Sequence, residues 1–129
     1  MSWTLTKGLD DTIIGTVYPP IGTPYYGAPF FVNVVLPDGY PVYPPRVQMT
    51  SRIFHPNFTL KGHLYIDKLY DEYTPDFTLS KVMDYILQLF SHPDMDPLSQ
   101  NNLEAGTLYK EDREKFEEKA RDWTLKYCL

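Results

Sequence analysis

The chain has 129 residues, with 12 Lys+Arg against 17 Asp+Glu for a formal charge of −5, and its composition is 43% hydrophobic and 22% charged. That length suits one domain around one core, the acidic balance disfavours a phosphate-backbone footprint, and no apolar run reaches the length of a membrane span. The sequence therefore predicts a single domain over 1–129 with neither nucleic acid nor membrane as partner.

The opening Met1-Ser2-Trp3-Thr4-Leu5-Thr6 lacks a basic region followed by an apolar stretch, so the expected location is cytoplasmic and/or nuclear. Residues 1–11 read as a short extended segment rather than a helix. Residues 12–18, rich in β-branched types and stopped by Pro19-Pro20, predict a strand. A second strand is predicted over 28–36 and bounded by Pro37-Asp38-Gly39, and a short third over 46–50 follows the rigid run from Tyr40 to Pro45. A weaker fourth element is expected over 64–66. Strands in succession without intervening helices favour an antiparallel meander.

From Thr78 the period changes. Leu79, Val82, Met83, Ile86 and Phe90 recur at three and four, with Thr78 as N-cap and Ser91-His92-Pro93 as stop, which predicts an amphipathic helix. A short helix is expected over 100–108 and a charged one over 111–126, where Phe116, Ala120, Trp123 and Tyr127 share a stripe. The fold class is thus α+β, sheet first and helices last. Twelve prolines and eleven tyrosines fit rigid turns over a real core, because a disordered Pro-rich chain would be poor in aromatics.

General chemical motifs are lacking: the sequence holds no phosphate-cradling Gly-rich loop, His-Glu-x-x-His, calcium loop or Gly-x-Ser-x-Gly. His63 and His92 read as ordinary surface or turn residues, and no metal or cofactor is expected. The sole thiol, Cys128, lies one residue from the end, permits no internal disulfide and has no base or oxyanion arrangement beside it.

His55-Pro56-Asn57 is more informative, because it belongs to an ordered series. Ahead of it lie Pro20, Thr23-Pro24-Tyr25, Gly27, Phe30, Pro37, Tyr40-Pro41, Pro44-Pro45, Val47, Thr50 and Ile53. Behind it come Gly62, Asp67, Thr74-Pro75, Pro93, Asp96-Pro97-Leu98, Leu108-Tyr109, Asp112-Arg113, Phe116 and Ala120. Over about residues 12–127 this series resembles the ubiquitin-conjugating enzyme family. The resemblance implies a four-stranded antiparallel sheet with helices behind it and at the end, in agreement with the reading from periodicity.

The resemblance also implies where chemistry should sit. Relatives carry a catalytic cysteine ten residues after the triplet's histidine, in a Gly-x-Ile-Cys-Leu-Asp stretch. Here the matching run is Gly62-His63-Leu64-Tyr65-Ile66-Asp67, which puts Tyr65 at that position. Thioester transfer needs a polarisable sulfur that ionises near neutrality, whereas a phenol has an ordinary pKa of about 10. No catalytic residue is therefore expected, and His55, Pro56, Asn57, Tyr65, Asp67 and Asp96 form a vestigial active-site region.

By the same resemblance Asn57 has two roles open to it, oxyanion stabilisation and the tying of two backbone segments, and the tyrosine at 65 favours the second. Asp96 matches an acidic residue at the rim of relatives' active sites but is expected here to cap the turn after it. Asp67 is expected to join a local hydrogen-bond network. Loops holding Tyr40, Val42, Tyr43 and Tyr73, Thr74, Pro75, Asp76 match the ligase-facing loops of relatives. Val42 stands where relatives often have an aromatic residue and Tyr73 where they usually have tryptophan. The usual lysine- and arginine-rich N-terminal helix has no counterpart in the first eleven residues. The expected function is that of an inactive variant acting as a noncovalent partner, scaffold or acceptor-positioning subunit. Its expected partners are an active ubiquitin-conjugating enzyme, ubiquitin or a ubiquitin-like protein, or a ligase or scaffold protein. Two other readings remain: an interaction module unrelated to ubiquitin transfer, and a noncanonical transfer enzyme.

Overall fold

Alternation along the strands decides which face of the sheet is covered. A computed structural model of the chain describes residues 2–129 and begins with a strand. The strands β1 (Trp3–Lys7), β2 (Thr12–Val17), β3 (Phe30–Val35) and β4 (Arg46–Met49) form one antiparallel meander in chain order. On β3, Phe30, Val32 and Val34 are buried while Phe31 and Val35 face solvent. Val47 and Met49 of β4 continue the inner face. Helices α1 (Leu79–Ser91), α2 (Leu103–Glu111) and α3 (Arg113–Tyr127) follow the sheet.

Helix α1 turns Val82, Met83, Ile86, Leu89 and Phe90 into the core, and the Thr78 hydroxyl accepts from the Lys81 N–H as the expected N-cap. At Gly15 the sheet meets the tip of Met83: a Cβ there would come within 2.7 Å of Met83 Cε, so a larger residue would displace the end of that flexible side chain. At the sheet margin the Trp3 indole N–H donates to Asp84 Oδ1 at 2.7 Å, which ties β1 to α1. Deeper, Tyr25 donates to the Phe54 carbonyl at 2.6 Å, and its ring lies 5.2 Å from Phe90 and 5.8 Å from Phe30. No helix among the described residues is long and apolar enough to cross a membrane.

The first element described is a strand, and the α+β class, the meander and the four strands agree with expectation. The identity of the fourth strand does not. Residues 64–66 form no strand; only single bridges, Gln48 with His63 and Phe58 with Leu64, occur there. The fourth strand is instead Trp3–Lys7, inside the segment read only as extended, because its five residues pair throughout with β2. The helix predicted over 100–108 begins later, at Leu103. The Asn101 and Asn102 amides both donate to the Pro56 carbonyl, and the Asn102 side chain then caps α2 through the Ala105 N–H. Asp112 ends α2 and caps α3 through the Lys115 N–H, so the break falls just past the expected start at 111. In α3, Phe116 and Ala120 are buried, Trp123 half-buried and Tyr127 exposed; Thr124, outside the predicted stripe, is buried.

One backbone position is set by sterics alone. Gly62 has φ of 88°, its carbonyl accepts from the Met49 N–H at 2.8 Å, and a Cβ would lie 1.8 Å from the Met49 carbonyl oxygen. No side chain fits, so Gly62→Ala should detach the 59–66 loop from β4. We expect a loss of about 3 kcal/mol or more in chemical denaturation.

Candidate functional site

The segment 53–58 is buried at every position, which is unusual for chain outside regular structure and obliges each polar group in it to find a partner. His55 is fully buried, with its ring 5.7 Å from Tyr25, 5.3 Å from Phe58 and 6.4 Å from Phe90. Its Nδ1 accepts the Asn57 backbone N–H at 3.0 Å, so the proton sits on Nε2, which donates to the Leu89 carbonyl at 2.7 Å. Burial lowers the imidazole pKa from its ordinary 6.5 to about 4, against a smaller opposing pull from that carbonyl. His55 is a neutral core residue at physiological pH.

The Asn57 side chain spends all of its polar capacity. Nδ2 donates to the Asp94 carbonyl at 2.7 Å and the Ser99 carbonyl at 2.8 Å, and Oδ1 accepts the Asp94 N–H at 2.9 Å. Both amide hydrogens are thereby committed to main-chain carbonyls. The Asp94 carboxylate accepts from the Asp96 N–H and from the Tyr85 hydroxyl. Burial, then the Asp94 charge, pushes the Tyr85 phenol up to about 12. Asn101 completes the knot by donating from Nδ2 to the carbonyls of Asn57, at 2.6 Å, and Tyr65, at 3.2 Å. Sequence reasoning missed Asp94, Tyr85 and Asn101; the polar run Gln100-Asn101-Asn102 was the available signal, since such residues outside a helix look for main-chain partners.

Tyr65 is held by its carbonyl and free at its side chain. The residue is 46% exposed, and its ring stacks on His63 at 5.8 Å and lies 5.8 Å from Tyr70. It faces a groove of about 660 Å³ along β4, lined also by Tyr43, Arg46 and His63. The Asp96 carboxylate accepts the Leu98 N–H at 2.9 Å and so caps the 3₁₀ turn Pro97–Ser99. At Asp67 the network runs through the main chain: the carbonyl accepts from the Tyr70 and Glu72 amides, while the carboxylate makes no hydrogen bond among the described residues.

A sequence model described as Ubiquitin-conjugating enzyme matches residues 6–124. The chain belongs to the ubiquitin-conjugating enzyme family. The matched range takes in the ordered prolines and His55-Pro56-Asn57 together with the 94–101 loop that the triplet packs against. In this ubiquitin-conjugating enzyme domain the two loops singled out from sequence meet, because Tyr73 donates its hydroxyl to the Pro41 carbonyl at 2.7 Å. Tyr40 joins Pro41 through a cis peptide, and Val42 and Tyr43 stand exposed at 69% and 62%. Thr74, Pro75 and Asp76 are exposed beside them. No cluster of three or more metal-ligating side chains occurs among the described residues. Cys128 is remote in the chain from this region; its thiol donates to the Arg52 carbonyl at 3.3 Å, and burial raises its pKa.

Two measurements test this geometry. Asn57→Ala leaves the Ser99 carbonyl and the Asp94 N–H unpaired, the Asp94 carbonyl keeping Gln100 Nε2 at 2.9 Å, and should cost on the order of 3 kcal/mol in chemical denaturation. Asn57→Asp, equal in size but unable to donate, should restore little of that loss; full recovery would rule out the donor role. For His55 the folded pKa lies below the unfolded one, so the unfolded state takes up the proton first. Its contribution is complete above about pH 6.5 and is lost as the pH falls toward about 4, on the order of 3 kcal/mol in all. Melting temperature followed across that window should fall more steeply for the parent than for His55→Gln; equal slopes would remove His55 as the cause.

Proposed function

We propose that the chain is a catalytically inactive ubiquitin-conjugating enzyme variant that acts by binding, as a noncovalent partner, scaffold or acceptor-positioning subunit in a ubiquitin or ubiquitin-like pathway. The observation that carries this reading is the nature of the nucleophiles. Tyr65, ten residues beyond His55, is an exposed phenol in the groove, whereas the only thiol donates to Arg52 and is pushed toward its protonated form. The saturated amide of Asn57 supports it as well, since no hydrogen remains for a developing oxyanion. Val42 and Tyr43, with the Tyr73–Pro41 tie beneath them, give the protein an exposed apolar ridge held rigid at low ordering cost, and this is where a ligase, scaffold or active conjugating enzyme would bind. Such a protein would work in the cytoplasm and/or nucleus.

Incubation with activating enzyme, ATP and ubiquitin, followed by nonreducing mass analysis, should give only the unmodified chain. A covalent ubiquitin adduct at any residue would overturn the inactive reading. Binding is tested separately by titrating isotope-labelled protein with ubiquitin and with active conjugating enzymes. Resonance shifts are expected at high micromolar concentration, and their absence for every member of the pathway would favour an interaction module unrelated to ubiquitin.

A further inference from the structure

The sheet ends differently at its two margins. Beyond β4, Gln48 bridges to His63, whereas among the described residues β1 has β2 as its single neighbour. The Tyr18 N–H donates to the Ser2 carbonyl and the Gly8 N–H to the Thr12 carbonyl, and Trp3 lies opposite Val17 in an unbroken register to Lys7 opposite Ile13. This phase turns the N–H and C=O groups of Thr4 and Thr6 toward β2 and those of Trp3, Leu5 and Lys7 outward. Edge strands are commonly blunted by proline, bulges or several charges; β1 has no proline, no bulge and one charge, at its last residue. Beside it an apolar groove of about 510 Å³ opens on the inner face, with Leu5, Ile13 and Leu36 in its walls.

We propose that β1 pairs with β1 of a second copy of this chain, antiparallel about a two-fold axis at Leu5, which joins two four-stranded sheets into one. The strand itself dictates the register. With Leu5 opposite Leu5, Trp3 of each copy faces Lys7 of the other, and the outward groups form two hydrogen bonds in each of these three pairs. A slip of two residues in either direction would leave Trp3 or Lys7 beyond the end of the facing strand. The same register is complementary in charge. Trp3 rests on the Asp84 carboxylate, so the incoming Lys7 meets an indole ring and an anion on one face. On the outer face Thr4 falls opposite Thr6, a favourable cross-strand pair, and Leu5 of each copy closes the groove beside the other's edge. Such a two-fold contact uses one patch twice and therefore stops at the dimer.

The pairing is independent of whether the protein transfers ubiquitin. Sedimentation of the full chain should show a mass rising with concentration from 15.1 kDa toward twice that value. Amide exchange at Leu5 and Lys7 should slow in step, while exchange at Thr4 and Thr6, already bonded to β2, should not respond to concentration. Lys7→Glu sets two carboxylates together at each end of the contact and should weaken dimerisation at least about 10-fold without lowering the monomer's melting temperature. A single 15.1 kDa species up to about 500 µM, a range in which a Kd near 1 µM or even 100 µM would be evident, overturns the proposal. So does a dimer in which the Leu5 and Lys7 amides exchange as fast as in dilute protein, or one that Lys7→Glu forms as tightly.

Discussion

The carboxamide of Asn57 joins two stretches of chain that share no regular structure. One is the buried turn 53–58, the other the loop that leads from α1 to α2. Neither satisfies all of its own main-chain groups, and a buried amide or carbonyl without a partner costs more than an ordinary hydrogen bond returns. Asn57 resolves this by taking one donor and two acceptors from the loop, and Asn101 reciprocates by donating to the carbonyls of Asn57 and Tyr65. Aspartate could not donate and alanine could do neither. The position of the 94–101 loop, and with it the start of α2, depends on this exchange.

The exchange in turn requires a dry surrounding. His55 supplies one side of it, with its ring set among Tyr25, Phe58 and Phe90 and both nitrogens bonded. An imidazole held neutral in this way acts as a polar wedge in the core: it accepts the Asn57 amide and passes a donor to the last turns of α1. Helix, buried turn and loop are thus connected through two side chains adjacent to one proline.

Much of the architecture was legible because it depends on local pattern. The β-branched runs at 12–17 and 30–35 and the three-and-four spacing from Leu79 to Phe90 each specify an element without reference to the rest of the chain. What escaped was decided at long range. Trp3–Lys7 is a strand because Thr12–Val17 lies beside it, and nothing within W-T-L-T-K separates a strand from an extended tail. Leu64–Ile66 had the composition of a strand but meets its neighbours at single bridges. Gln100 to Asn102 could have opened a helix; the Pro56 carbonyl, more than forty residues earlier, holds Asn101 and Asn102 out of it. The site divides in the same way. His55, Asn57, Tyr65 and Asp96 were found by their order along the chain, while Asp94, Tyr85 and Asn101 are recognisable only once the loop is closed.

Tyr65 is fastened through its carbonyl, and its ring rests against exposed neighbours rather than in a fitted socket. The scaffold therefore places almost no demand on which side chain stands there. Selection acting on folding is blind to this position, so its chemistry can drift, be lost or be replaced in a single step without a passage through unfolded intermediates. The protein can therefore exchange the side chain at 65 while keeping the backbone on either side of it in place.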